Sequence, residues 1–111
     1  MKRQPERAEQ AEIVKLLRML GASVYVLGTT RRKGDHPGTM MSPGLPDLWA
    51  VFPSSIVNPD QAVWIEVKSA KGRMSAAQQQ FQAECVSAQI GHVVGGLDAV
   101  VYWLRRNGRL R

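Results

Sequence analysis

The chain has 111 residues, of which 44% are hydrophobic and 22% charged, a composition typical of a single globular domain over residues 1–111. Its single cysteine, Cys85, excludes an intramolecular disulfide and favours a reducing, intracellular setting, while no segment approaches the ~18 apolar residues that cross a bilayer. With 15 Lys and Arg against 9 Asp and Glu, the net charge of +6 favours a polyanionic partner, although a merely basic soluble protein has the same balance.

The first predicted element is a helix over residues 5–20, with Pro5 in its first turn and Gly21 as its stop. Its apolar residues recur at helical spacing: Ile13, Leu16, Leu17 and Leu20. Continued backwards, the same stripe reaches Gln10, Glu9 and Glu6. These polar groups either face a functional site or overhang the core into water, and the spacing leaves both interpretations open.

A first strand is predicted over residues 22–27, followed by a long connection over residues 28–43. The connection contains Arg31, Arg32 and Lys33, and a loop of this length in a small domain is usually functional. We expect the basic triplet to contact phosphate; a solvated loop is the alternative.

Two further strands, residues 47–52 and 62–68, are separated by a short turn-rich connection that favours an antiparallel hairpin. In the later strand the apolar side chains of Val63, Ile65 and Val67 project to one face, and Glu66 and Lys68 to the other. The hairpin brings the start of one strand beside the end of the next, so Asp47 is expected near Glu66 and Lys68.

A basic turn with Lys71 and Arg73 leads to Ser75, a good N-cap for a helix over residues 76–89. The apolar stripe of this helix is modest: Phe81, Cys85 and Ala88. Gln78, in its first turn, follows the strand that bears Lys68 and could point back to it; in a run of three glutamines it could equally be surface filler.

The chain ends with a predicted strand over residues 91–95 and a helix over residues 97–107. His92, on the strand, is interpreted as structural or substrate-facing because no second histidine follows at ligand spacing. The basic tail either binds phosphate or is solvated: Arg105, Arg106, Arg109 and Arg111.

Asp47, Glu66 and Lys68, with Glu6 as a third acid, form a set suited to metal-assisted phosphodiester hydrolysis. Carboxylate oxygens favour Mg²⁺ or Mn²⁺ over zinc. A lysine beside such an ion can orient the attacking water or stabilise charge in the transition state. An isolated Glu-x-Lys pair at a strand end is more often a surface ion pair, which is the alternative interpretation.

The same residues carry a family resemblance. Gly44-x-Pro46-Asp47-Leu48, Ile65-Glu66-Val67-Lys68, Gly72-x-Met74-Ser75-x-x-Gln78 and Gly91 resemble the VRR-NUC family of PD-(D/E)xK, restriction-endonuclease-like nucleases. The resemblance implies an α/β fold with an α-β-β-β-α-β core, in which a mixed central sheet is flanked by helices, and a short C-terminal helix.

The resemblance also implies residue roles. Asp47, Glu66 and the Val67 carbonyl match the metal ligands, Lys68 the catalytic lysine and Gln78 the glutamine of the following helix. Glu6 and Gln10 match the pair on the first helix, Glu6 as a further acid; Glu9, on the same helix face, is the rival of Glu6. DNA binding is assigned to a set of polar and basic residues: Gln10, Arg31, Arg32, Lys33, Lys71 and Arg73.

The chain is similar to the stand-alone phage and bacterial members of the family. That similarity implies a Mg²⁺- or Mn²⁺-dependent, structure-selective DNA endonuclease, a Holliday-junction resolvase acting as a homodimer in the cytoplasm of a bacterial or phage-infected cell. Two alternatives stay open: a flap- or otherwise DNA-directed nuclease that works with a helicase or packaging machinery, and a non-catalytic nucleic-acid-binding module.

Overall fold

A four-stranded mixed sheet with three helices forms the fold. A computed structural model describes residues 6–27, 42–55 and 58–111. The elements follow in the order α1 (Glu6–Met19), β1 (Ser23–Val26), β2 (Leu48–Phe52), β3 (Gln61–Val67), α2 (Ala76–Ala88), β4 (Gly91–Gly95) and α3 (Leu97–Arg106). Their order and type match the predicted elements, and each bound agrees within about two residues. Within the described ranges, none of the helices is long and apolar enough to cross a membrane.

The strands lie in the sheet in the order of the chain, β1-β2-β3-β4. The pairs β1–β2 and β2–β3 are antiparallel. The pair β3–β4 is parallel, because the crossover through α2 returns the chain to the end of the sheet at which β3 begins. Leu48 pairs with Ile65, so Asp47, one residue before β2, lies opposite Glu66. This pairing confirms the predicted hairpin.

The hydrophobic core lies between one face of the sheet and the helices α1 and α3. Val63, Ile65 and Val67 of β3 are at most 2% exposed, which confirms the predicted alternation along that strand. The helices contribute the fully buried side chains of Ile13, Leu17, Val100 and Leu104. The periodic stripe of the first helix is therefore its core face, as predicted.

The opposite face of the sheet is covered by α2 and is more aromatic. Phe81 packs edge-on against Trp64, with ring centroids 5.3 Å apart, and lies 5.9 Å from the His92 ring. His92 therefore has a packing role, and its burial lowers the pKa of the imidazole. The predicted stripe was wrong at Ala88, which is exposed, whereas Cys85, one turn earlier on α2, is buried.

Arg109 closes the end of the molecule at which β2 ends and β3 begins. Its guanidinium donates to the carbonyls of Pro53 (3.3 Å) and Pro59 (2.7 Å) and to Gln61 Oε1 (3.1 Å), and it lies 4.9 Å from the centre of the Phe52 ring. Arg109 was expected either to bind phosphate or to be solvated. Neither interpretation is right for this residue, because its guanidinium donates to groups within the fold.

Candidate active site

Asp47 is held at the end of the sheet where β2 begins. The preceding turn is tight: Gly44 has a φ of +88°, and a Cβ on it would lie 2.5 Å from the Ala77 carbonyl oxygen of α2. Pro46 is fully buried in the same turn. The Asp47 carboxylate then accepts a hydrogen bond from the Val67 N–H at 2.8 Å through Oδ2. One acid is thereby fixed to the backbone of the strand that carries the other.

Glu66 lies near the end of β3 and is only 3% exposed, the one buried charged side chain in the described ranges. Its Oε2 accepts a hydrogen bond from Gln78 Nε2 at 2.9 Å and lies 3.5 Å from Lys68 Nζ. A buried carboxylate is costly unless donors surround it. The amide and the ammonium stabilise its charge in part.

The electrostatics of the acid pair indicate a deficit of positive charge. Burial, and then the neighbouring charge of Asp47, raise the pKa of Glu66 to about 7, although Lys68 opposes the shift. Burial also raises the pKa of Asp47, opposed chiefly by the Val67 N–H. Two carboxyl groups this close favour sharing a proton over carrying two charges. A bound cation would relieve the same repulsion.

The donor set fits a hard divalent cation. Asp47 and Glu66 each accept one hydrogen bond from a described backbone or amide N–H, in each case through one carboxylate oxygen, and the two side chains also contact each other. Mg²⁺ is typically held by one or two carboxylates, the remaining positions being filled by water and substrate oxygens. The described residues contain no group of three or more Asp, Glu, His or Cys side chains that could hold a metal ion, so a cation site here would rest on the two acids, water and substrate.

The Val67 carbonyl points into the same region. The Lys68 N–H, in the same peptide group, donates to the Gly95 carbonyl of β4 at 3.0 Å. In a trans peptide the carbonyl points away from the N–H, and no cis bond occurs here. The Val67 oxygen is therefore directed away from β4, toward the side of β3 on which β2 and Asp47 lie.

The two rival acids of α1 have different partners. Glu6 Oε2 accepts a hydrogen bond from the Ser69 N–H at 3.1 Å, and its charge contributes to raising the pKa of Asp47. Glu9 Oε2 instead accepts one from the Leu97 N–H of α3 at 2.8 Å. The structure thus brings Glu6 toward the acid pair and attaches Glu9 to α3. A third-ligand role for Glu6 stays a prediction.

Gln78 links helix α2 to the buried acid. Its Oε1 accepts a hydrogen bond from the Ser75 N–H at 2.8 Å, and the Ser75 hydroxyl accepts one from the Gln78 N–H, forming a capping box. The same side chain donates to Glu66 through Nε2. Helical spacing left Gln78 open and the family resemblance assigned it; the Ser-x-x-Gln pattern is also the sequence signature of the capping box seen here.

The predicted DNA-binding residues that the structure describes lie in two places. Lys71 and Arg73 are exposed in the turn that follows β3, and Gln10 is half-buried on α1 without a hydrogen bond to the acids. The triplet Arg31-Arg32-Lys33 lies outside the described residues. Leu27, the last described residue before that triplet, donates its N–H to the Asp47 carbonyl at 2.9 Å.

Sequence reasoning missed the Gly95-Gly96 turn. It lies beside Lys68 and helps to line a cavity of about 580 Å³: Glu9, Lys68, Ser69, Ala70, Lys71, Gly95, Gly96 and Asp98. The glycine pair directly before a predicted helix was the available signal.

Comparison of the chain with models of protein families, with curated proteins and with solved structures found no match.

Proposed function

We propose that this protein is a Mg²⁺- or Mn²⁺-dependent DNA endonuclease of the restriction-endonuclease-like kind. The observation that carries the proposal is the pair Asp47 and Glu66: two adjacent carboxyl groups with raised pKa values, Glu66 buried and Asp47 half-buried, and Lys68 at 3.5 Å from Glu66. Buried acids of raised pKa beside a cation at a sheet end are more typical of functional sites than of surface ion pairs.

The chain order supports the same proposal. An α-β-β-β-α-β core with a mixed sheet is what the resemblance to VRR-NUC nucleases implies, and the chain has this order, followed by α3. The motif residues converge through direct contacts from three parts of the fold: Asp47 directly before β2, Glu66 and Lys68 at the end of β3, and Gln78 on α2. If Glu66 and Lys68 were only a surface ion pair, there would be no reason to expect the hydrogen bond from Gln78 to Glu66.

The electrostatic surroundings favour an anionic substrate. All three helices begin at this end of the sheet: Glu6 starts α1 beside Ser69, Gln78 lies in the first turn of α2, and Leu97 starts α3 beside Gly95. Helix N-termini carry partial positive charge. Together with exposed Lys71 and Arg73 and a net charge of +6, they attract a phosphate backbone to two acids that would otherwise repel it.

The residues then have distinct tasks. A bound divalent ion, held by Asp47, Glu66 and the Val67 carbonyl, would polarise the scissile phosphate and lower the pKa of a water ligand. Lys68 donates to the attacking water or to a phosphate oxygen on which charge develops. Gln78 keeps Glu66 in one orientation through its 2.9 Å hydrogen bond.

We extend the proposal to branched DNA, with a homodimer resolving Holliday junctions. A single domain of 111 residues has little surface on which to wrap DNA, and two copies related by a twofold axis present two sites to two strands. Val100 of α3 is 1% exposed and therefore cannot belong to the surface of such a dimer.

The test incubates purified protein with Mg²⁺ or Mn²⁺ and labelled four-way, flap and linear duplex DNA. We expect metal-dependent cleavage, strongest on four-way junctions, and a loss of about 10²–10⁴-fold in Lys68→Ala. Lys15→Ala, an exposed lysine of α1, is the matched control and should cleave normally. Absence of cleavage of every substrate by the wild type would refute the proposal.

The same samples distinguish a non-catalytic DNA-binding module. For such a module, Asp47→Asn would leave function intact and tighten DNA binding, because it removes repulsion between the acid and phosphate. For the proposed nuclease, Asp47→Asn abolishes cleavage whether or not binding tightens. Preference among the three DNA substrates separates a junction resolvase from a flap nuclease.

A further inference from the structure

Glu9 caps a helix to which it does not belong. The N-cap residue of α3 is Gly96, which has no side chain with which to cap the exposed N–H groups of the first turn. The Glu9 carboxylate of α1 serves instead, since its Oε2 accepts the Leu97 N–H at 2.8 Å. A Cβ on Gly96 would overlap that carboxylate. Glycine at this position therefore leaves room for an acid from another helix.

The turn that Glu9 contacts also supports the backbone of Lys68. Gly95 has a φ of +142°, which favours glycine, and its carbonyl accepts the Lys68 N–H at 3.0 Å. This hydrogen bond is the last one between β3 and β4 at the site, beyond the Val67–Gly95 pair. The position of the Gly95-Gly96 turn therefore fixes where the backbone of Lys68 leaves the sheet.

We propose that Glu9 is a positioning residue for Lys68. Its carboxylate holds the Gly95-Gly96 turn, the turn holds the Lys68 N–H, and the Lys68 ammonium is thereby kept at 3.5 Å from Glu66. The effect on cleavage rests on the function proposed above. The mechanical link between Glu9 and the backbone of Lys68 does not, and it can be measured in a protein that cleaves nothing.

This role differs from that of a metal ligand. A carboxylate ligand contributes a negative charge to the site as well as an oxygen, so both Glu9→Gln and Glu9→Ala would weaken metal binding if Glu9 held the ion. A cap needs only an acceptor oxygen, which the amide of Gln retains. Glu9→Gln therefore keeps the hydrogen bond that holds the turn. It loses only the favourable interaction between the negative charge and the N-terminus of α3. The pair of variants separates the two roles.

The first experiment is amide hydrogen exchange in metal-free protein. In Glu9→Ala we expect the Lys68 and Leu97 amides to exchange about tenfold faster than in the wild type. The amides of Val63 and Ile65 report global unfolding and serve as the reference. Glu9→Gln should restore most of the protection. The exposed Glu12 of the same helix supplies the control, and Glu12→Ala should leave both amides unchanged. Unchanged Lys68 exchange in Glu9→Ala would overturn the proposal.

The second experiment is a double-mutant cycle with Gly96→Ala. Alone, this substitution drives a methyl group into the Glu9 carboxylate, so it should speed Lys68 exchange in the wild-type background. In the Glu9→Ala background the methyl group has room, and the added effect should fall to within about twofold. Equal effects in both backgrounds would show that Glu9 and the turn are not coupled.

The third experiment concerns cleavage. We expect Glu9→Ala to lower kcat by about tenfold or more with an unchanged Mn²⁺ dependence, and Glu9→Gln to recover most of that loss. A weakened Mn²⁺ dependence in both variants would instead assign Glu9 to the metal. If the wild type does not cleave, the function proposed above fails, while the exchange measurements still decide the link from Glu9 to Lys68.

Discussion

Glu66→Gln should stabilise the metal-free protein at alkaline pH but not at acid pH. Gln has nearly the shape of Glu, and its carbonyl can still accept the hydrogen bond from Gln78. The substitution therefore removes the charge and little else. It tests whether Glu66 is held at a cost that a cation would relieve, which is the physical basis of the proposed site.

The magnitude follows from the raised pKa. Burial and the charge of Asp47 raise the pKa of Glu66 from 4.5 to about 7, so the folded protein binds a proton that the unfolded chain has already released. Its contribution to stability is fully present below pH 4.5 and is lost as pH rises through about 7. A shift of this size corresponds to about 3 kcal/mol, the gain expected for Glu66→Gln at pH 8.

The assay is urea unfolding in EDTA at pH 4.5 and pH 8, followed by tryptophan fluorescence. The expected gain at pH 8 should disappear at pH 4.5. Glu12→Gln, an exposed acid of α1, is the control and should change the free energy of unfolding by less than about 0.5 kcal/mol at both pH values. A gain that is absent at pH 8, or equal at both pH values, would refute the electrostatic reasoning.

Adding Mn²⁺ to the same samples at pH 8 extends the test. A cation that binds only the folded protein stabilises it by about 2.7 kcal/mol at 100 times its Kd. We expect this gain in the wild type and a much smaller one in Glu66→Gln. Equal gains in the two proteins would place the cation elsewhere on the molecule.

Four further substitutions test the surroundings of the site and the far end of the sheet. Gln78→Ala removes a helix cap and a donor to the buried acid, so we expect a loss of about 1–2 kcal/mol in urea unfolding and slower cleavage. Ser75→Ala removes the cap alone and should lose stability with less effect on cleavage. Gly44→Ala places a methyl group 2.5 Å from the Ala77 carbonyl oxygen at a φ of +88°, and a loss of about 1–3 kcal/mol is expected; an unchanged urea midpoint would contradict this. Arg109→Ala should cost about 1–2 kcal/mol and leave the cleavage rate of the folded protein unaltered, since its contacts lie at the far end of the sheet.

Local patterns in the sequence predicted the elements and the acid pair. The periods of the apolar residues give helices and strands their type, and a short connection makes β2 and β3 a hairpin. Once that hairpin is assumed, Asp47 must lie beside Glu66, and the 2.8 Å hydrogen bond to the Val67 N–H follows from the register. This part of the site needs contacts across only 20 residues.

Contacts across the whole chain could not be predicted. Glu6 and Glu9 lie on one face of α1, and the choice between them depends on Ser69 and Leu97, which are 63 and 88 residues away in the sequence. The exposure of Ala88 depends in the same way on which elements meet the last turn of α2. Periodicity identifies a helix face but not the element that meets it, so these outcomes required the tertiary structure.

The long-range attachment of α1 has a consequence for synthesis on the ribosome. The acids of α1 are made before the residues that donate to them, Ser69 and Leu97, and the Lys68 N–H requires Gly95, which is also made later than Lys68. A nascent chain whose residues up to Leu97 have not all left the ribosome can form the Asp47–Glu66 hairpin. It still lacks the contacts that hold Lys68 and α1 in place. The proposed cleavage of DNA depends on this geometry, so we expect it only after the last strand and the start of α3 have left the exit tunnel.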